Sequence, residues 1–111
     1  SRIWSFESEK KTSLLITTAD FRAVPKYKLT ISPYLVNSRS PLVNIKSCNY
    51  LENLLAMEEA QTRGFNEAIR LNEKDEVVSA CLANIFWVKD EKIFTPSLET
   101  GCLAGITRSI V

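Results

Sequence analysis

The sequence predicts a mixed α+β fold: one helix at about residues 49–63, and short, mostly antiparallel strands from residue 67 onward. Two observations carry this. Between residues 49 and 63, Leu51, Leu54, Leu55 and Met57 recur at helical spacing, with Glu52, Glu58, Glu59 and Gln61 between them. That pattern gives an apolar stripe and a wet face. After residue 67, short runs of apolar and β-branched residues alternate with polar turns, which is the signature of short strands. A chain of 111 residues fits one domain with a modest core.

Each element follows from local chemistry. Residues 13–21 are rich in apolar and β-branched side chains and read as a strand, which Pro25 interrupts. A second strand lies within 27–36, where Leu29 and Ile31 alternate with Lys28 and Thr30. Residues 37–41 form a polar loop, and 42–46 a short extended piece ending in Lys46. The helix then stops at Gly64, a residue suited to a left-handed C-terminal position. Strands at 67–71 and 77–81 flank the polar turn 72–75. Strands at 84–88 and 92–95 are joined by Lys89, Asp90 and Glu91, and Pro96 ends the pair. A glycine-rich turn hands the chain to a last helix beginning near Ile106, which the 111 residues do not finish. Leu51, Leu54, Leu55, Ile69, Val78, Ile85, Phe86 and Ile93 are expected in the core.

Composition excludes several classes of function. Apolar residues make up 45% and charged residues 24%, as in ordinary globular proteins. Net charge is +1, so no strong field points to nucleic acid or an anionic membrane. No apolar run approaches the ~20 residues of a bilayer span, and residues 1–11 carry no secretory pattern. Three cysteines, an odd number without CxxC spacing, argue against a disulfide framework or a zinc site and for a reducing cytoplasm. Histidine is absent, which removes the usual general base and most metal sites. Chemistry must rest on Lys, Asp or Glu, Tyr, Cys or a cofactor.

The segment Gly101-Cys-Leu-Ala-Gly-Ile-Thr-Arg108 has the makings of a phosphate cradle. The first N–H groups of a helix lack internal acceptors, and the dipole places partial positive charge there. Gly105 lets a ligand approach the backbone, and the Thr107 hydroxyl adds a donor.

Three blocks in order give a resemblance. They are Ser40-Pro-Leu-Val-Asn-Ile-Lys-Ser-Cys-Asn-Tyr-Leu-Glu-Asn-Leu-Leu-Ala56, residues 67–86 ending in Ala-Asn-Ile-Phe, and Phe94-Thr-Pro-Ser-Leu followed by the turn at 101–108. Together they resemble the class IV pyridoxal-phosphate (PLP) family of branched-chain and D-amino-acid aminotransferases and aminodeoxychorismate lyase, over about residues 27–111. The resemblance implies that the whole chain is a single domain, the first part of the larger, cofactor-binding C-terminal pseudo-barrel domain. It also implies a homodimer and an amino-acid-like or amino-chorismate-like substrate.

Residue by residue, Lys46 matches the family's cofactor-bearing catalytic lysine. That chemistry needs a neutral amine, which burial beside an apolar or cationic wall would provide. Gly105, Ile106 and Thr107 match the phosphate cup, and Leu103 a leucine that packs on the pyridine ring. Arg108 is expected to cap or pair rather than bind ligand. Tyr50, four residues after Lys46, is placed to reach the cofactor's phenolic oxygen, and Cys48 and Cys81 to flank the site. Trp4 and Trp87 are expected to serve packing.

Ser79 departs from the pattern. Family members place a glutamate five residues before the Asn of the Asn-Ile-Phe block, where it would pair with the protonated pyridine nitrogen. A serine can hydrogen-bond that nitrogen but supplies no charge. This weakens the electron sink and leans toward lyase chemistry. Three readings therefore stand: an aminotransferase, a lyase eliminating pyruvate, or a non-catalytic oligomerising domain.

Overall fold

The computed structural model describes residues 14–20 and 26–111. Strand β1 (Leu29–Ile31) leads through a long loop to helix α1 (Leu51–Thr62), which returns the chain to strand β2 (Glu67–Leu71). β1 and β2 are parallel neighbours, with Leu29 opposite Glu67 and Ile31 opposite Ile69. Parallel strands need a long crossover, and here α1 lies within it. Strand β3 (Val77–Ala80) pairs antiparallel with β2, completing a three-stranded sheet in the order β1-β2-β3. Strands β4 (Trp87–Lys89) and β5 (Lys92–Phe94) form a separate hairpin. A 3-10 turn at Leu98–Thr100 and the short helix α2 (Ile106–Ile110) follow.

Local chemistry explains the ends and turns. Helix α1 closes on Gly64 at φ 81°, where the Phe65 N–H donates to the Ala60 carbonyl and the Gly64 N–H to the Gln61 carbonyl. This is a Schellman closure, and it satisfies carbonyls the helix leaves free. The turn between β2 and β3 is built on Asn72, whose buried Oδ1 accepts from the N–H groups of Lys74 and Glu76. The β4–β5 loop is two residues, Asp90 and Glu91, both at positive φ. That conformation matches the twist of the flanking strands. Across the hairpin, Trp87 stacks on Phe94 with ring centroids 5.9 Å apart.

The core sits between α1 and β2–β3, where Ala56, Ala60, Ala68 and Cys81 cluster with Met57 and Phe65 against them. Ala56 and Ala60 face the sheet because small side chains let a helix approach closely. At about 100° per residue, Leu51, Leu54 and Leu55 then fall on the opposite side of α1. All three are exposed, at 47% or more. Their expected burial is corrected: leucine spacing marks an apolar stripe, but a second, smaller stripe of alanines wins the sheet. Val78 is buried as expected, Ile69, Ile85 and Phe86 are half-buried, and Ile93 is exposed on the two-stranded hairpin.

Other expectations shift as well. Residues 14–20 form no strand and are exposed, while residues 13, 21 and 25 and Trp4 lie outside the described residues. Within 27–36 only Leu29–Ile31 is strand, with Val36 bridging to Asn72. Residues 41–44 are turns and 45–46 join no strand, so no extended piece forms: the Val43 N–H donates to the Ser40 carbonyl, the Ile45 N–H to the Leu42 carbonyl, and Asn44 adopts φ 63°. The strand expected at 84–88 begins only at Trp87, because Asn84 is engaged elsewhere. No helix among the described residues is long and apolar enough to cross a membrane.

Candidate functional site

One cavity of about 870 Å³ opens between the 40–47 turns, the first turn of α1, the end of β3 and the 101–107 segment. Lys46, Ser79, Leu103, Gly105, Ile106 and Thr107, the six residues singled out in the sequence, all line it. Cavities of this volume suit small molecules. Tyr50 and Cys81 line it too. Cys48 is exposed and lies outside the lining.

Lys46 comes off the consecutive turns that precede α1. Its Nζ donates to the Tyr50 hydroxyl at 3.0 Å. The same nitrogen is 5.2 Å from the Tyr50 ring centroid, so it lies beyond the hydroxyl rather than over the ring face. Lys46 is exposed, not buried against an apolar or cationic wall. The expected burial is thus corrected, since the turns at 40–47 carry this side chain into the open mouth of the cavity.

Ser79 owes its placement to an irregularity in the sheet. The register runs Arg70 opposite Ser79, then Leu71 opposite Val77, leaving Val78 as an extra residue. A bulge of this kind re-aims the side chains next to it. Cys81, two residues on, is on the same face. Burial pushes its thiol up to about 11, and a hydrogen bond to the Glu67 carboxylate and that group's charge act in the same direction. Cys81 is therefore a neutral wall residue rather than a nucleophile.

Asn84 builds the opposite wall, and sequence reasoning used it only as a landmark. Its Nδ2 donates to the Leu103 carbonyl at 2.9 Å. Its Oδ1 packs directly on Gly105, where a Cβ would collide with it. Gly105 has φ 63° and ψ 136°, outside the left-handed well open to other residues. Glycine is thus required twice here, for its dihedrals and for contact with Asn84. The N–H groups that begin α2 have no intrahelical acceptor. Arg108 donates through Nη2 to the Pro96 carbonyl at 3.0 Å and ties α2 back to the chain; that carbonyl belongs to a loop, so the bond is not the helix cap expected. No signal short of the fold could reveal the Asn84 contact, because nineteen residues separate its partners.

The arrangement gathers an amine, several hydroxyls (Thr107, Ser79 and Tyr50 among them) and free backbone donors around one volume. Such a set can hold an anionic small molecule and present an amine to it. No group of acidic, cysteine or histidine side chains among the described residues could hold a metal ion.

The chain is similar to known proteins. A sequence profile of the amino-transferase class IV family matches residues 1–111. It is 42% identical to the aminodeoxychorismate lyase of Vibrio harveyi over 67 residues, 60% of this chain and 25% of that protein. To the branched-chain-amino-acid aminotransferase of Pseudomonas aeruginosa it is 40% identical over 62 residues, 56% of this chain and 20% of that protein. The chain thus spans about a quarter of the length of such relatives. The branched-chain aminotransferase of Thermobaculum terrenum, solved in its PLP form, superposes with a TM-score of 0.71 at 30% identity, covering 76% of this chain and 28% of that one. With the profile covering the whole chain and the fold shared with solved members, this chain belongs to the class IV aminotransferase family.

Proposed function

We propose that the chain is the PLP-binding part of a class IV enzyme acting on an amino-acid-like substrate. The observation that carries this reading is the convergence of Lys46, Ser79, Leu103 and the 105–107 turn on one cavity. The donor set fits the group: a primary amine for its aldehyde, and a hydroxyl with free backbone N–H groups for its phosphate. Gly105 leaves no side chain between the backbone and a ligand.

In this reading each residue has a defined task. When bound, PLP supplies the electron sink that allows a proton to leave the substrate Cα. Lys46 holds the cofactor through Nζ and afterwards moves that proton. Tyr50 fixes Nζ through the hydrogen bond at 3.0 Å. Thr107, with the backbone of Gly105 and Ile106, would bind the phosphate, and Leu103 would pack on the pyridine ring. Ser79 would offer its hydroxyl to the ring nitrogen. Asn84 acts on the site only through the turn it braces.

Both an aminotransferase and an aminodeoxychorismate lyase stand among the relatives. Ser79 favours the second, elimination of pyruvate, because a hydroxyl gives a weaker sink than a carboxylate. The exposed leucines of α1 support a homodimer, and the three free cysteines a reducing cytoplasm. The domain reads as the first part of a larger cofactor-binding domain.

The test is direct. The protein is mixed with PLP, reduced with borohydride and digested, and the peptides are read by mass spectrometry. A pyridoxyl adduct on Lys46 is expected. An adduct spread over other lysines, or none, overturns the reading. A specific adduct that is lost when Thr107→Val and Gly105→Ala are combined supports the phosphate cup.

A further inference from the structure

A buried cation lies behind the wall that carries Ser79. Arg70 is 1% exposed and is among the largest fully buried side chains described. In the β2–β3 register it stands directly opposite Ser79. Residues opposite one another in an antiparallel pair share a face, with Cβ atoms about 4.5–5.5 Å apart. The guanidinium is pinned by neutral acceptors: Nε donates to the Tyr34 carbonyl at 3.2 Å, Nη1 to Asn53 Oδ1 at 2.6 Å, and Nη2 to the Leu35 carbonyl at 3.4 Å. Asn53 and Ser79 both line the cavity, so the charge sits one side chain behind it.

Other charges lie near this wall, and at Cys81 the effect of Glu67 outranks that of Arg70, but it is Arg70 that stands opposite Ser79 in the register. Glu52 on α1 approaches Nη2 at 3.8 Å, but its side chain is 81% exposed and solvated. Glu67, at the start of β2, turns its carboxylate onto the N–H groups of Ala68 and Cys81. Cys81, just past the end of β3, is held neutral. An arginine does not release its proton in a protein. A fixed cation in a poorly solvated wall opposes a second positive charge in front of it.

We propose that Arg70 keeps the ring-nitrogen subsite free of positive charge, so that Ser79 donates its hydroxyl hydrogen to an unprotonated pyridine nitrogen. The inference rests on the PLP reading above and goes beyond it. Ser79 is then not merely a lost carboxylate. The pair Arg70–Ser79 is a cross-strand unit of opposite electrostatic sense, in which a carboxylate at position 79 would face a buried guanidinium. Arg70 is a positioning residue that acts through the field at Ser79, not a catalytic residue.

The experiment loads the protein with PLP labelled with nitrogen-15 in the ring and follows that nitrogen by NMR against pH. The wild-type nitrogen is expected in the free-base range at neutral pH. Arg70→Met should raise its protonation midpoint by about one pH unit or more, whereas Arg70→Lys, which keeps the charge, should restore the wild-type midpoint. If Arg70→Met fails to fold, Arg70→Gln, which removes the charge but keeps a donor for the Asn53 and carbonyl acceptors, gives the second arm: it should raise the midpoint in the same way. A protonated wild-type nitrogen overturns the inference alone, as does a midpoint unmoved in Arg70→Met. Absence of cofactor from Lys46 overturns the PLP reading, and this inference with it.

Discussion

Gly105 is a point at which backbone conformation, packing and the proposed chemistry meet. Its φ of 63° excludes most side chains, and the Asn84 amide fills the space a Cβ would need. Gly105→Ala is expected to destabilise the protein by roughly 1–3 kcal/mol, the usual range where an L residue is forced into such dihedrals. Adding Asn84→Ala should recover part of that loss, since it removes the collision but not the dihedral cost. Urea unfolding of the two single variants and the double variant measures this coupling. Strictly additive effects would show that the two residues do not touch. The glycine was legible in the sequence as a turn before a helix. Its partner was not, because Asn84 belongs to a different strand connection.

Among the elements, the loop that carries the site toward the cavity is tied to the β2–β3 turn by the Val36–Asn72 bridge and by the Glu73 carboxylate. The Ser38 backbone N–H donates to Glu73 at 2.9 Å, and the Ser38 hydroxyl donates to its other oxygen. These donors hold the Glu73 carboxyl at about 2, below its usual 4.5. The folded value is depressed, so the tie contributes stability above about pH 4.5. That contribution fades as pH falls through the folded value near 2. Glu73 is fully exposed, and the effect is accordingly small. Stability measured from pH 5 to pH 2 should fall less in Glu73→Gln than in the wild type. Equal slopes would remove this tie from the account. Ser38 and Glu73 are 35 residues apart, and nothing in their spacing announces the contact.

Helix α1 shows how local pattern and global packing diverge. Its span and its glycine stop follow from sequence alone. The face it buries does not: leucines at 51, 54 and 55 look outward while alanines at 56 and 60 meet the sheet. Parallel pairing of β1 with β2 is likewise a matter of the crossover, since alternation of side chains is the same in parallel and antiparallel strands.

At the scale of the molecule, the two faces of α1 make opposite predictions. Ala60→Leu, at the contact with the sheet, should cost about 1–3 kcal/mol through overpacking. Leu54→Ala, on the outer face, should cost less than about 1 kcal/mol in dilute, dissociated protein. If the homodimer forms through this face, the penalty at Leu54 should grow with protein concentration while that at Ala60 stays constant. Denaturation at two concentrations separates them. A larger cost for Leu54→Ala at the lowest concentration would mean that the leucines are covered within the chain itself.

The sequence by itself determined the helix, most of the turns, the class of fold and the residue types that meet at the cavity, because each depends on neighbours within a few positions. Tertiary structure decided which helix face is buried, that β1 runs parallel to β2, that a bulge aims Ser79, and that Arg70 stands behind it. Those outcomes depend on contacts between segments tens of residues apart, where many pairings satisfy local preference and only the packing of the whole chain selects one.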